Sequence, residues 1–205
     1  MTSRFGDVFI TDWMTAIGTV ATVVVALFVA FLSSIRRWYN RPRFGIELGN
    51  EEPFARRSNL LLGKNEDGSS RTIPSYWIRL RIRNEGRSVA RSCEGKLVRI
   101  TRLIDMRDRT DFDPVVLHWV GSTSNPRDIN RLEYEYLDVV YTRADCADRI
   151  FIPAEEQDPR GINLAPPRED CILHIALYGA NVEPMEKEFR LKNGTQYDQI
   201  QIELV

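Results

Sequence analysis

Histidine and cysteine are scarce: His118 and His174 are the only histidines, and Cys93, Cys146 and Cys171 the only cysteines, in 205 residues. No Cys-x-x-Cys pair and no His-Glu-x-x-His run occurs, so the sequence carries no zinc or dithiol redox motif. Three widely spaced cysteines read as reduced thiols, which suits a cytosolic compartment; one disulfide plus one free thiol is the alternative. A glycine-rich phosphate loop and a Gly-x-Ser-x-Gly nucleophile elbow are missing too. Excess charge is also lacking, the formal net charge being -1. Five cations (Arg4, Arg36, Arg37, Arg41 and Arg43) stand beside residues 13–35 with only Asp7 and Asp12. Setting these aside from 28 basic and 29 acidic residues leaves 23 against 27. The remainder is mildly acidic, which argues against nucleic acid as a partner.

What is present begins with WMTAIGTVATVVVALFVAFLSSI, residues 13–35, a run without a charged side chain. At 1.5 Å per residue it is long enough to cross a hydrocarbon core of ~30 Å. A cleaved signal peptide would have a basic start, a shorter apolar stretch and an Ala-x-Ala-like exit. The run is therefore expected to be an uncleaved transmembrane helix in the lipid bilayer. Arg36, Arg37, Arg41 and Arg43 crowd its C-terminal side, so the positive-inside rule puts the following domain in the cytoplasm of the cell membrane and the N-terminus outside. Trp13 at one end and Trp38 with Tyr39 at the other fit interfacial aromatic anchors. Gly18, Thr22, Ala26 and Ala30 recur every four residues and form a stripe of small side chains, a face on which a second helix could dock. The expected organisation is a short tail (1–12), the transmembrane helix (13–35), a basic juxtamembrane linker (36–43) and one soluble domain (44–205), the size of an ordinary single domain.

No helical period follows Arg43. Residues 76–84, YWIRLRIRN, alternate strictly, with Ile78, Leu80 and Ile82 on one face and Arg79, Arg81 and Arg83 on the other, the mark of a half-buried strand. Asn84-Glu85-Gly86-Arg87 supplies turn residues before a second extended stretch, 89–103, in which Leu97, Val98 and Ile100 are expected core contributors. Further expected strands are 44–48, 115–120, 137–141, 149–152, 171–178, 187–191 and 199–205. Asn193-Gly194 between the last two predicts a type I′ hairpin, because both central residues of that turn need positive φ. Short strands separated by turn chemistry predict an antiparallel β-sandwich, with a small barrel as the alternative. Segments 49–75, 122–132 and 153–170 read as loops, where binding commonly resides.

The WIRLRIRNEGRSVA stretch is similar to the F-x-L-x-V-x-N-x-G-x-x-x-A pattern of immunoglobulin-like β-sandwich modules found in many membrane-tethered bacterial and archaeal proteins. The closing HIALYGANVEPMEKEFRL stretch resembles them as well. The Cys, Trp and Cys signature of antibody domains is absent, and no catalytic residue follows from the resemblance.

Candidate chemistry is thin. His118 and His174 lie within apolar strand segments, and Cys171 and His174 would face opposite sides of their strand, so a Cys-His dyad is not expected. Asp105, Asp108, Asp111 and Asp113 lack the spacing of a calcium loop and are interrupted by Arg107 and Arg109. Glu133, Glu135 and Asp138, with Glu155 and Glu156, could supply paired acids, but nothing fixes their separation. Arg79, Arg81 and Arg83, extended by Arg87 and Arg91, form a local positive row able to meet anionic headgroups or nucleic acid phosphates. The expectation is a membrane-anchored, non-enzymatic interaction or accessory module of prokaryotic type, without cofactor or metal, whose partner is a protein or a second copy through the helix. A lipid or nucleic acid sensor and an enzyme using loop carboxylates are the rivals.

Overall fold

A computed structural model describes residues 4–64, 68–109, 113–121, 126–153, 162–164 and 170–205. The chain divides into two compact units, Met1–Arg41 and Pro42–Val205. The first is helix α1, Arg4–Tyr39, which extends beyond the apolar run on both sides. Its segment Trp13–Arg36 is long and apolar enough to span a membrane, and none of it is buried within the protein. Polar side chains there close hydrogen bonds to the preceding turn: Thr19 Oγ1 to Thr15 O at 2.8 Å, Thr22 Oγ1 to Gly18 O at 2.8 Å and Ser33 Oγ to Ala30 O at 2.7 Å. Hydroxyls satisfied in this way are tolerated in an apolar surround.

The second unit holds two antiparallel sheets and no closed barrel among the described residues. Sheet 1 contains β1 (Phe44–Glu47), β2 (Ala55–Lys64), β3 (Ser70–Asn84), β7 (Tyr134–Arg143), β8 (Cys146–Ile152) and β9 (Ile162–Leu164). Sheet 2 contains β4 (Ala90–Arg102), β5 (Val115–Val116), β6 (Arg127–Ile129), β10 (Cys171–Gly179), β11 (Val182–Lys192) and β12 (Gln201–Leu204). The two faces meet in one core. Ile78, Leu80 and Ile82 of β3 and Leu137 and Val140 of β7 join Leu97, Ile100, Leu173, Ile175, Phe189 and Leu191 from sheet 2, with Trp119 fully enclosed. This is the antiparallel sandwich that the alternation implied.

Of the register shifts in the two sheets, those on β4 opposite β10 and on β7 opposite β3 disturb the period of two at the core. His174 pairs with Arg99 while Ile175 pairs with Leu97, so Val98 is an extra residue on β4. Leu97 and Ile100 consequently both reach the core, and Val98, expected there, is only half-buried. On β7, Val139 is extra in the same way, between Val140 opposite Ile78 and Asp138 opposite Arg79.

Several expectations need correction. The 115–120 segment is a strand only at Val115–Val116, on sheet 2. Trp119 then bridges Leu137 of sheet 1, so the chain is crossing between layers and cannot continue one ladder. The 49–75 loop contains β2 and the start of β3; ARRSNLLLGK was illegible as a strand because it is largely polar on both faces. The 122–132 and 153–170 segments contain the three-residue strands β6 and β9; residues 122–125, 154–161 and 165–169 lie outside the described residues.

β11 and β12 pair antiparallel, as the sequence implied, but Lys192 pairs with Gln201 and the connection takes residues 193–200. Neither Asn193 nor Gly194 has positive φ, so the type I′ turn is absent. The connection is instead a strap to sheet 1: Arg57 meets Asp198 at 2.7 Å, and the Thr142 hydroxyl donates to Tyr197 O. Gly194 serves close approach, since a Cβ there would lie 2.2 Å from that of Gln199. The tight hairpin lies elsewhere, at Ala180-Asn181, where Gly179 pairs with Val182.

Asn84 ends β3 and is wholly buried. Its carboxamide donates to Ser88 O at 2.8 Å and Ile129 O at 3.0 Å and accepts from Gly86 N at 3.0 Å. That one side chain ties the arch from sheet 1 to sheet 2 onto β6, which explains how a turn without a hairpin holds its shape.

Candidate functional site

Strand alternation delivers the arginine row to the outer face of sheet 1, where it meets carboxylates. Arg79 Nε donates to Asp138 Oδ1 at 2.6 Å, and the two side chains are only 13% and 7% exposed. Burial pushes the Asp138 carboxyl above the ordinary aspartate range, with Arg79 pulling against it. Arg81 pairs with Glu47, the hydrogen bond raising the arginine further, and its guanidinium lies 5.4 Å from the Phe54 ring centre and 5.0 Å from that of Tyr134. Arg83 has no carboxylate partner among the described residues, and its Nε is buried without a hydrogen bond. The row ends there: Arg87 lies beyond β3, in the chain between the sheets, and Arg91 belongs to β4 of the other sheet, so the extended row of five read from the sequence does not form. Farther along the same face, Trp77 stacks on Tyr141 at 4.4 Å and Tyr141 on Phe151 at 5.2 Å, a cross-strand aromatic ladder.

A polar cluster that the sequence did not announce lies on the outer face of sheet 2. Cys171 faces the core and His174 the other side, as strand geometry requires. The imidazole is buried, with Arg99 Nη2 3.1 Å from Nδ1 and Thr101 Oγ1 3.0 Å from Nε2. Glu188 Oε1 is 3.3 Å and Glu186 Oε1 3.9 Å from Nδ1. Thr101 Oγ1 also donates to Asp108 Oδ1 at 2.6 Å. Thr101 gives its single proton to Asp108, so toward Nε2 it can only accept, and Nε2 carries the proton that it donates to Thr101. The Thr101 hydrogen bond, more than the nearby Arg99, holds the Asp108 carboxyl below its ordinary range.

Hydroxyl, imidazole and carboxylate are thus adjacent, but the proton direction is wrong for activating Thr101. A nucleophilic hydroxyl must give its proton to the imidazole, and this one gives it to Asp108. The arrangement latches the segment after β4 back onto the sheet, alongside the Arg102 N to Arg107 O bond at 2.9 Å.

The other acids are dispersed. Asp105 pairs with Arg102 at 3.8 Å, Glu135 with Arg127 at 3.0 Å, and Glu133 accepts from Asn130 at 2.8 Å. Asp113 is exposed, while Asp111, Glu155 and Glu156 lie outside the described residues. Among the described residues no group of three His, Cys, Asp or Glu side chains is arranged to hold a metal ion. His118 is half-buried in the crossing segment, its carbonyl accepting from Asp138 N at 2.9 Å. All three cysteines are free thiols. Beside the strap, a polar cleft of about 540 Å³ is lined by Asn50, Tyr76, Lys192, Asp198 and Gln201 among others.

On α1, Trp13, Trp38 and Tyr39 are exposed, and α1 itself ends at Tyr39, before Arg41 and Arg43. The space around Gly18 is open, as it is along the whole unburied span: a methyl group added to its Cα would meet nothing within 4 Å. Thr22, Ala26 and Ala30 are exposed along the same helix. No protein-family model, no curated protein and no solved structure matches the chain.

Proposed function

We propose that the protein is a single-pass membrane-anchored, non-enzymatic interaction module whose β-sandwich lies in the cytoplasm and binds a protein partner. The observation that carries this reading is the apolar segment Trp13–Arg36, entirely exposed on a helix of its own and joined to an independently cored sandwich. An exposed apolar helix of that length finds its stable surround in lipid. Arg36, Arg37, Arg41 and Arg43 on its C-terminal side favour the cytoplasmic orientation and cell-membrane location. The immunoglobulin-like assignment rests on the WIRLRIRNEGRSVA stretch together with the two-sheet layout. The Gly18, Thr22, Ala26 and Ala30 stripe supports self-association as part of the same function.

Sensing of anionic lipid or nucleic acid through Arg79, Arg81 and Arg83 has less support, because Asp138 and Glu47 already neutralise the first two. Catalysis by the loop carboxylates has less support again, because those described are mostly engaged in separate ion pairs. The test is affinity isolation of tagged full-length protein in mild detergent, with the Gly18→Leu variant alongside. A stoichiometric protein partner, or a dimer that Gly18→Leu dissociates, is the expected result. A partner-free monomer overturns the proposal.

A further inference from the structure

We propose that the outer edge of β2 is a strand-addition site for an extended acidic segment of a partner protein. The inference rests on the interaction-module reading and names the surface and the partner chemistry.

β3 pairs with β7 only from Ser75 onward, whereas it pairs with β2 from Ser70. Residues 59–64 and 70–74 therefore form a two-stranded ribbon beyond the body of the sheet, and among the described residues β2 pairs with β3 alone. Ribbons of two strands are marginal in water, and their outer backbone N–H and C=O groups offer a template for a further strand. β2 carries no proline that would close this edge. Leu61 is 59% exposed between half-buried Leu60 and Leu62, giving an added strand apolar side chains to cover.

Charge selects the occupant. Within β2 the ionic residues are Arg56, Arg57 and Lys64, all exposed, with no acid in the strand. Antiparallel pairing of two copies would gather both sets of cations in one seam, where like charges across strands repel. An acidic strand turns the same positions into cross-strand attractions. Arg57 already shows the preference, holding the Asp198 carboxylate at 2.7 Å while its side chain stays 74% exposed. Backbone pairing then supplies affinity and the cationic positions supply selectivity, as in other strand-addition complexes.

The experiment is hydrogen exchange read by mass spectrometry on full-length protein in neutral detergent. The probes are a short peptide alternating glutamate with valine and threonine, and a counterpart with lysine in place of glutamate. The acidic peptide should slow exchange in β2 and the lysine peptide should not. Arg56→Glu combined with Lys64→Glu should weaken the acidic peptide about tenfold, from charge pairs turned repulsive. Unchanged exchange in β10 shows that the variant is folded. No slowing in β2, or equal slowing by both peptides, overturns the inference. So does slowing by bilayer discs of anionic lipid without peptide, which would assign the ribbon to lipid. A partner from the affinity isolation that protects other surfaces and leaves β2 unprotected overturns the edge assignment while the module reading stands. Failure to isolate any partner bears on the module reading, and the peptide result still decides the edge.

Discussion

The guanidinium of Arg79 and the carboxylate of Asp138 meet at 2.6 Å across β3 and β7, both nearly withdrawn from solvent on what the sequence alone presents as a solvated face. Removing one partner from such a pair strands the other charge. Asp138→Ala should therefore cost about 3–5 kcal/mol, whereas replacing both residues with apolar side chains should cost much less. Urea unfolding of the full-length protein in detergent, followed by tryptophan fluorescence, measures both. The same pair sets a pH dependence. Because the folded carboxyl titrates above its unfolded value of about 3.9, the folded state holds more protons in between, and stability falls as pH rises through that window. Asp138→Asn should flatten this slope.

Asp108 behaves in the opposite sense. Its folded value is depressed, so it contributes stability above the ordinary aspartate range that is lost as pH falls through the depressed folded value. Thr101→Val removes the largest cause, and the Asp108 carboxyl should titrate closer to the ordinary range. A carbon-detected NMR titration of the side chain follows it directly; an unchanged titration would remove Thr101 from that role.

Asn84 should be intolerant of change. Alanine there leaves Gly86 N–H and the carbonyls of Ser88 and Ile129 without their partner inside the fold. Buried groups abandoned in this way cost about 1–3 kcal/mol each, so Asn84→Ala should lower stability by roughly 3 kcal/mol or more. Thermal unfolding of the two proteins side by side provides the comparison.

The thiols should react unequally. Burial pushes Cys93 up to about 12, and Cys171 is buried in the core, while Cys146 is only half-buried. Thiolate is the reactive form, so a thiol reagent at neutral pH should label Cys146 first and leave Cys93 untouched until unfolding. In Cys146→Ser, rapid labelling of the native protein would contradict this assignment.

How much of this was readable from sequence depended on whether one residue pattern mapped onto one face. Ile78, Leu80 and Ile82 alternate with arginines and bury as the pattern demands. Leu97 and Ile100, three apart, share the core only because Val98 bulges, which no period-two template anticipates. Asn193-Gly194 has the local chemistry of a tight turn, but the links of Arg57 to Asp198 and Thr142 to Tyr197 O stretch that connection across to sheet 1. β2 escaped notice because an edge ribbon needs little apolar alternation. The His174 cluster escaped for a different reason: Arg99, Thr101 and Asp108 lie far from it in sequence and arrive only through the pairing of β4 with β10. Partner choice for the arginine row was equally hidden, since Asp138 and Glu47 reach Arg79 and Arg81 only through strand register.

The proposed placement of the sandwich on the cytoplasmic side of the membrane makes its sharpest demand on topology. A protease-cleavable tag placed after Val205 should resist digestion in sealed, right-side-out spheroplasts and be cleaved once they are lysed, with the protein remaining in the membrane fraction. Digestion in sealed spheroplasts, or recovery in the soluble fraction, would contradict a cytoplasmic module held by Trp13–Arg36.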